Sequence, residues 1–232
     1  MDKAKQIKIE YVEAAYKLLC EQDFDEISIR QLAKITKRNS ATLYYYFEDL
    51  NNLLTIASVR YLMEYYDILS TVVNSSFKIL EINLLSWGCL ACCAFKNPPI
   101  YENFFLRNPE RSEKAFYEYL VLFPEEKEIV KHYFLGEQLY SSDLRQRDKW
   151  MLKKAVGERM ISEESAEYLG NFDYYLFFGM VSEVRYKKCS EKEVSETQEL
   201  FMEILTETYR KCLLPGCAML DCHLKTIMND KN

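Results

Sequence analysis

Glycine and proline are scarce in this chain, with 6 and 5 among 232 residues. That scarcity excludes a fibrous or linker-rich protein. It weighs against an all-β fold, which needs many turns, and against glycine-built phosphate loops, and it favours long uninterrupted helices. Histidine occurs only twice. With no glycine loop and no nucleophile motif, the sequence offers no support for an enzyme, and no cofactor is expected. Long apolar runs are also missing. The longest, residues 84–95, is too short to cross a bilayer, so no membrane partner is expected. The first ten residues, MDKAKQIKIE, are charged with no apolar core behind them; no signal peptide is expected, and a cytoplasmic location follows as an expectation. The formal net charge of -6 excludes a uniformly basic nucleic-acid binder, though not one with a locally basic contact face. Eight cysteines in a cytosolic chain are expected as free thiols.

What is present is an ordinary globular balance, 49% hydrophobic and 28% charged. The length suits one large or two modest domains. Helical periodicity runs through the chain, and the fold class expected is all-α. A first helix covers 3–22, with Ile7, Tyr11, Ala14, Ala15, Leu18 and Leu19 on one face. Ser28 and Gln31 form a capping-box pattern that opens a short second helix with Ile29, Leu32, Ala33 and Ile35 inward. Asn39 or Ser40 can cap a third helix over 41–47 that buries Leu43 and Phe47. A fourth runs over 48–71. Further helices are expected over 77–96, 100–107, 111–122, 125–135, 137–158, 162–188 and 191–213, with prolines at the joints. Gly170 and Gly179 sit inside one of these and permit a close helix–helix approach.

Three short helices near the N-terminus, the second and third joined by about four residues, suggest a helix-turn-helix DNA reader. A major groove admits one helix, and a second must brace it across the backbone. The bracing residues must be apolar inward, which Leu32, Ala33, Leu43 and Phe47 satisfy. The exposed face of the third helix offers Ser40, Thr42, Tyr45 and Tyr46, all able to bond phosphates or base edges. Arg30, Lys34, Lys37 and Arg38 form an acid-free basic cluster beside it.

Residues 11–19 (YVEAAYKLL), Phe24, 27–33 (ISIRQLA), 42–47 (TLYYYF) and Leu53-Leu54 together resemble the DNA-binding domain of TetR/AcrR-type transcriptional regulators. The TLYYYF stretch is the most specific part. The resemblance covers roughly the first sixty residues. It implies an N-terminal helix-turn-helix domain (1–50), joined by the fourth helix (48–71) to a larger C-terminal helical domain (51–214) that binds an effector and dimerises, followed by a tail (215–232). It implies a dimeric transcription regulator, a repressor, that binds double-stranded DNA at a palindromic operator and responds to a small molecule. Arg30 is then expected at a base edge, Ser40 and Thr42 near bases or phosphates, Ala41 against a thymine methyl, and Tyr44, Tyr45 and Tyr46 on phosphates.

Departures from the family pattern carry expectations of their own. Lys37 stands where the family usually has glycine, and a positive φ there would strain a residue with a Cβ. Tyr46 replaces the usual histidine. Leu50 replaces a lysine that grips a phosphate, and its neighbours Glu48 and Asp49 would repel DNA. Weaker, more salt-sensitive binding is expected, or a shift of the grip to Lys37 and Arg38.

In the C-terminal part the last two long helices are expected to pair with a second copy, through Phe172, Leu176, Met180 and Val184 on one and Phe201 and Leu205 on the other; closure of the subunit's own core is the competing reading. Aromatics crowd the middle of the chain, and Tyr61, Trp87, Phe105, Phe134, Trp150, Tyr174 and Phe178 are candidates for an effector pocket. No buried acid or base stands out in the sequence, so the effector expected is apolar or aromatic. Cys89, Cys92 and Cys93 share one helical face, where thiolates could sense oxidants or bind a soft metal; small apolar packing is the favoured reading, and no metal site is expected. Cys212, Cys217, Cys222 and His223 match no zinc spacing, and His132 reads as structural. Two other readings stay open: a thiol-based redox or metal-responsive regulator on the same fold, and a helical interaction protein with a degenerate DNA motif.

Overall fold

In the computed structural model, residues 2–73, 76–107, 109–126 and 143–219 are described. Among them the chain is all-α. The helices are α1 (Lys3–Glu21), α2 (Ile29–Thr36), α3 (Ser40–Tyr46), α4 (Leu50–Val73), α5 (Ile79–Ala94), α6 (Pro98–Glu102), α7 (Pro109–Leu122), α8 (Leu144–Gly157), α9 (Glu163–Lys187) and α10 (Glu191–Cys212). An isolated antiparallel bridge pairs Ile161 with Leu213. Two joints differ from the sequence reading. Pro98 and Pro99 form the first turn of α6, and Pro109 opens α7, because a helix's first turn needs no partner for the missing proline N–H. The helix expected over 100–107 is α6 followed by a π-helical turn at Asn103–Arg107. Of the helix expected over 125–135, only a 3₁₀ turn at Pro124–Glu126 falls among the described residues. Of the one over 137–158, the described part is α8.

The chain divides into two compact units. The first comprises residues 1–63 and 99–131. The sequence draws its first boundary at residue 50; this unit also takes in the start of α4 and all of α7. Side-chain bonds explain the extension. Arg60 of α4 grips both oxygens of Glu13 in α1 at 2.7 and 3.0 Å and donates to the Tyr119 hydroxyl of α7 at 3.2 Å, while Asn103 donates to Thr55 at 3.1 Å. The core of the helix-turn-helix is Tyr11, Val12, Ala15, Leu18, Leu32, Leu43 and Phe47, all buried. Tyr11 meets Phe47 edge-on, ring centroids 5.9 Å apart. Ile35 does not join them. It is 41% exposed, because a helix of two turns buries only the stripe around Leu32.

The second unit comprises residues 64–98 and 132–232, and α4 runs from the first unit into it. Its centre is α5, which is apolar almost all round and buried along its length, as such a helix must be. Helices α8, α9 and α10 pack against it. A ring cluster of Trp87, Phe95, Phe177 and Phe201 joins α5 to α9 and α10, with centroids 5.5 to 6.4 Å apart. Gly170 permits the close approach of α9 to α8: a Cβ there would stand 3.3 Å from Asp148 Oδ2 and 3.6 Å from Leu152. Gly179 serves no such contact among the described residues, where nothing lies within 4 Å of the position its Cβ would take.

Candidate functional site

The capping box that opens α2 forms as the sequence implies: the Gln31 amide donates to Ser28 Oγ at 3.4 Å, and the Ser28 amide donates to Gln31 Oε1 at 2.7 Å. The turn after α2 closes on Lys37 in the left-handed region, at φ 53° and ψ 38°, which lets the Arg38 amide reach the Ala33 carbonyl at 3.1 Å. Asn39 then caps α3 by accepting from the Ala41 amide at 3.0 Å. Lysine in the left-handed region costs about 1–2 kcal/mol that glycine would not incur. Part of that gain is returned as backbone freedom in the unfolded chain. Lys37→Gly is therefore expected to raise the unfolding free energy by up to about 1 kcal/mol, read by chemical denaturation.

This turn sets the face of α3 outward. Tyr45 is 82% and Tyr44 58% exposed, Ala41 is exposed, and Ser40, Thr42 and Tyr46 are half-buried. The Tyr46 ring is held edge-on against Tyr45 at 4.9 Å, so two of the three tyrosines support each other. Arg30, Lys34 and Lys37 are exposed, and none forms an ion pair among the described residues. Arg38 differs. Its Nη2 binds Glu10 at 2.5 Å, and that hydrogen bond holds the Glu10 carboxyl below the usual range. A shift of the phosphate grip to Arg38 must therefore compete with Glu10.

The acids after α3 are not bare. Arg111 of α7 binds Asp49 at 2.7 Å and Glu48 at 3.4 Å, and Lys114 binds Glu48 as well. The Lys114 bond holds the Glu48 carboxyl low. Burial works against Asp49, yet the Asn52 amide and Arg111 keep it below the usual range. The expectation that these two carboxylates repel DNA omitted the cations of α7. Within this unit Arg111 and Lys114 offset the charges of Glu48 and Asp49 at the α3–α4 joint, with Glu118 also 4.0 Å from Lys114.

The aromatic candidates for an effector pocket fall in both compact units. Tyr61 and Phe105 belong to the first compact unit, where the Tyr61 hydroxyl donates to Cys20 Sγ at 3.4 Å and Phe105 packs on Phe104 and Tyr101. In the second unit, Trp150 carries Lys154 on its face at 3.9 Å, and Tyr174 carries Arg145 at 3.8 Å. Phe178 is buried against Phe177 and Tyr174. Phe134 lies outside the described residues, as do His132, Cys222 and His223. Trp87 lines a cavity of about 30 Å³ in the second unit, with Tyr65, Asn83, Ser86, Leu90, Leu144, Arg147, Asp148 and Met151.

That wall holds buried charged groups, although no buried acid or base stood out in the sequence. Asp148 Oδ1 accepts from Asn83 Nδ2 and from Trp87 Nε1, each at 2.8 Å. Asn83 Nδ2 also donates to the Tyr209 hydroxyl at 2.9 Å, and Tyr209 donates to Asp173 Oδ2 at 2.5 Å. Arg147 donates to the Tyr65 hydroxyl at 2.9 Å. Burial pushes the Asp148 acid up to about 6, against the Trp87 and Asn83 donors. Burial, with Asp148 nearby, pushes Asp173 well above the carboxylate range, against the Tyr209 donor. Asp148 Oδ2, Asp173 Oδ1 and Arg147 Nη1 have no hydrogen-bond partner. A signal for this cluster exists in the sequence: Arg147 and Asp148 occupy inward positions of the stripe Leu144, Met151, Leu152 and Ala155, and Asp173 does so between Leu169 and Phe177.

Cys89, Cys92 and Cys93 are buried, and burial pushes the Cys92 and Cys93 thiols up, away from the thiolate that redox or metal chemistry needs. Of the residues expected at a dimer interface, Met180, Val184, Phe201 and Leu205 lie in the unit's own core, while Phe172 and Leu176 are half-exposed. Among the described residues no helix is long and apolar enough to cross a membrane.

A helix-turn-helix unit, one long connecting helix and a larger helical part define a known architecture: the chain has the fold of TetR-family transcription regulators. It matches RolR, solved in complex with resorcinol, at a TM-score of 0.53 and 13% identity, over 94% of this chain and 98% of that one. It matches a TetR transcription regulator from Haloarcula marismortui at a TM-score of 0.51 and 16% identity, over 90% and 99%. No protein-family model matches the sequence, and no curated protein matches it either.

Proposed function

We propose that the protein is a dimeric DNA-binding transcription regulator, a repressor, whose affinity for a palindromic operator is changed by an apolar or aromatic small molecule. The observation that carries this reading is the α3 face. Ser40, Ala41 and Thr42 and the exposed Tyr44 and Tyr45 stand beside Arg30, Lys34 and Lys37, three cations that form no ion pair among the described residues. Arg30, at the start of α2, reads a base edge. Ser40, Ala41 and Thr42 enter the groove, and Tyr44, Tyr45, Tyr46 and Lys37 position the backbone. One helix per groove binds weakly alone, so a second copy supplies the other half-site. The partner face is a stripe along α9, where Tyr168, Phe172, Tyr175 and Tyr186 recur at helical spacing around Gly179, with Leu200 of α10 also exposed. An aromatic effector is in keeping with RolR, whose structure holds resorcinol. The lever between effector and reader is α4, with ligand shifting the population of DNA-competent dimers.

The test is selection of bound sequences from a random DNA library at low and physiological salt, comparing wild type with Arg30→Ala. The expected result is a two-fold symmetric site whose preference at one base per half-site is lost in the variant, with affinity about tenfold lower. No enriched sequence at either salt would sink the regulator reading and favour a helical interaction protein.

A further inference from the structure

Among the described residues Arg147 is a buried cation with no ion pair, and Asp148 acts on it only through space. The residue is only 8% exposed, and a guanidinium stays charged at any pH a protein meets. Nη2 donates to the Tyr65 hydroxyl, and the same ring lies 5.6 Å from the guanidinium carbon; Nη1 has no partner. The carboxylate next to it in the chain does not serve. Asp148 turns Oδ1 to Asn83 and Trp87, and its Oδ2 faces Gly170 of α9. No ion pair joins the two side chains. Buried charges are ordinarily paired, because leaving one unpaired in a protein interior costs several kcal/mol. An unpaired arginine in a cavity wall is therefore a place built for an anion supplied from outside.

The cavity limits which anion. Its volume is about 30 Å³, roughly two water-sized positions at about 10–15 Å³ each. That space takes the head of a carboxylate. Asp148 on the same wall disfavours a dianion. The remaining wall is apolar or aromatic: Trp87, Leu90, Leu144 and Met151. We propose that Arg147 is the docking point for the carboxylate of a small monoanion, of which the carboxylate and the apolar carbon next to it meet the wall of Trp87, Leu90, Leu144 and Met151. Its effect on DNA rests on the regulator reading above; its binding does not. The proposal narrows the effector from an apolar or aromatic molecule to one with a carboxylate head.

The chain has two tryptophans, so Trp150→Phe leaves Trp87, in the cavity wall, as the only one. In that background, without DNA, sodium acetate is expected to change the Trp87 emission saturably, with a millimolar Kd as befits a few heavy atoms. Acetamide, the same shape without the charge, is expected to bind at least about tenfold more weakly, the worth of a charge-assisted hydrogen bond. Sodium chloride at equal ionic strength should give no saturable change. Arg147→Met, which keeps the bulk and removes the charge, should abolish the acetate response. Tyr65→Phe, which frees Nη2 for the same carboxylate, should tighten acetate severalfold, and it carries the test if the methionine variant does not fold. Equal responses to acetate and acetamide, a response to chloride, or acetate binding unaltered by Arg147→Met and Tyr65→Phe would overturn the proposal. A chain that binds acetate yet selects no DNA would keep this site and lose the regulator reading; one that selects DNA and ignores acetate would do the reverse.

Discussion

Asp148→Asn is expected to raise the free energy of unfolding at pH 7 by about 3 kcal/mol, because the rise of the acid from 3.8 to about 6 is a penalty on the folded state of that size. The sign follows from proton binding. The folded chain holds a proton on Asp148 more tightly than the unfolded chain does. Stability from this group is therefore fully present below pH 4 and is lost as the pH rises from about 4 through about 6. Asparagine removes the titration and keeps the bonds that matter, since its carbonyl oxygen accepts from Asn83 and Trp87 as Oδ1 does. Urea denaturation of wild type and variant at intervals between pH 4 and pH 8 reads the effect. The wild type should lose stability across the lower half of that range and the variant should lose less. Asp173, raised in the same direction, leaves a residual slope in both, and that slope shrinks in the variant because Asp148 is one of the charges acting on Asp173. A variant less stable than wild type at pH 7 would mean that the ionised carboxylate contributes favourably to the fold.

Most of the helical architecture was legible in the sequence, because amphipathic period and capping chemistry are local. The Ser28–Gln31 box, the Asn39 cap and the stripe of Leu32, Leu43 and Phe47 each depend on residues a few positions apart, and all formed where the spacing placed them. Lys37 shows the same for a single dihedral: the geometry of the turn demanded a positive φ, and lysine adopts it at a cost. Legibility ended where the answer depended on residues distant in sequence. Glu48 and Asp49 looked like a liability beside the recognition helix because Arg111 and Lys114 lie sixty and more positions away. Arg147 and Asp148 looked like ordinary charges on a polar helix, although their register with Leu144 and Met151 turns them inward. Tyr174 and Trp150 carry cations on their faces near the surface, whereas the cavity is walled by a mixture of apolar and polar groups that composition does not single out.

The joint after α3 yields the remaining large effect, on DNA. Replacing both Arg111 and Lys114 by alanine uncovers Glu48 and Asp49 at the end of the recognition helix, where the proposed duplex runs. Like charges brought together cost on the order of 1 kcal/mol each in partly screened surroundings, so operator affinity is expected to fall about thirtyfold at low salt. The loss should shrink as salt is added, because screening weakens exposed repulsion first. Adding Glu48→Gln and Asp49→Asn to the same chain should restore affinity. Asn at position 49 still caps α4 through the bond that Asp49 now accepts from the Asn52 amide, so the rescue does not come at the expense of the helix. The three chains, wild type, double variant and quadruple variant, measured by fluorescence anisotropy on the selected operator over a range of salt, separate two roles for the cations. If they act by neutralising the acids, the quadruple variant regains wild-type affinity and the wild-type salt slope. If they grip phosphates themselves, in place of the missing lysine at position 50, affinity stays low in the quadruple variant and the salt slope falls by about one for each cation removed. The geometry favours the first outcome: both cations are already bonded to carboxylates within the unit, and a phosphate would have to displace Asp49 from Arg111 and Glu48 from Lys114 to be held by either.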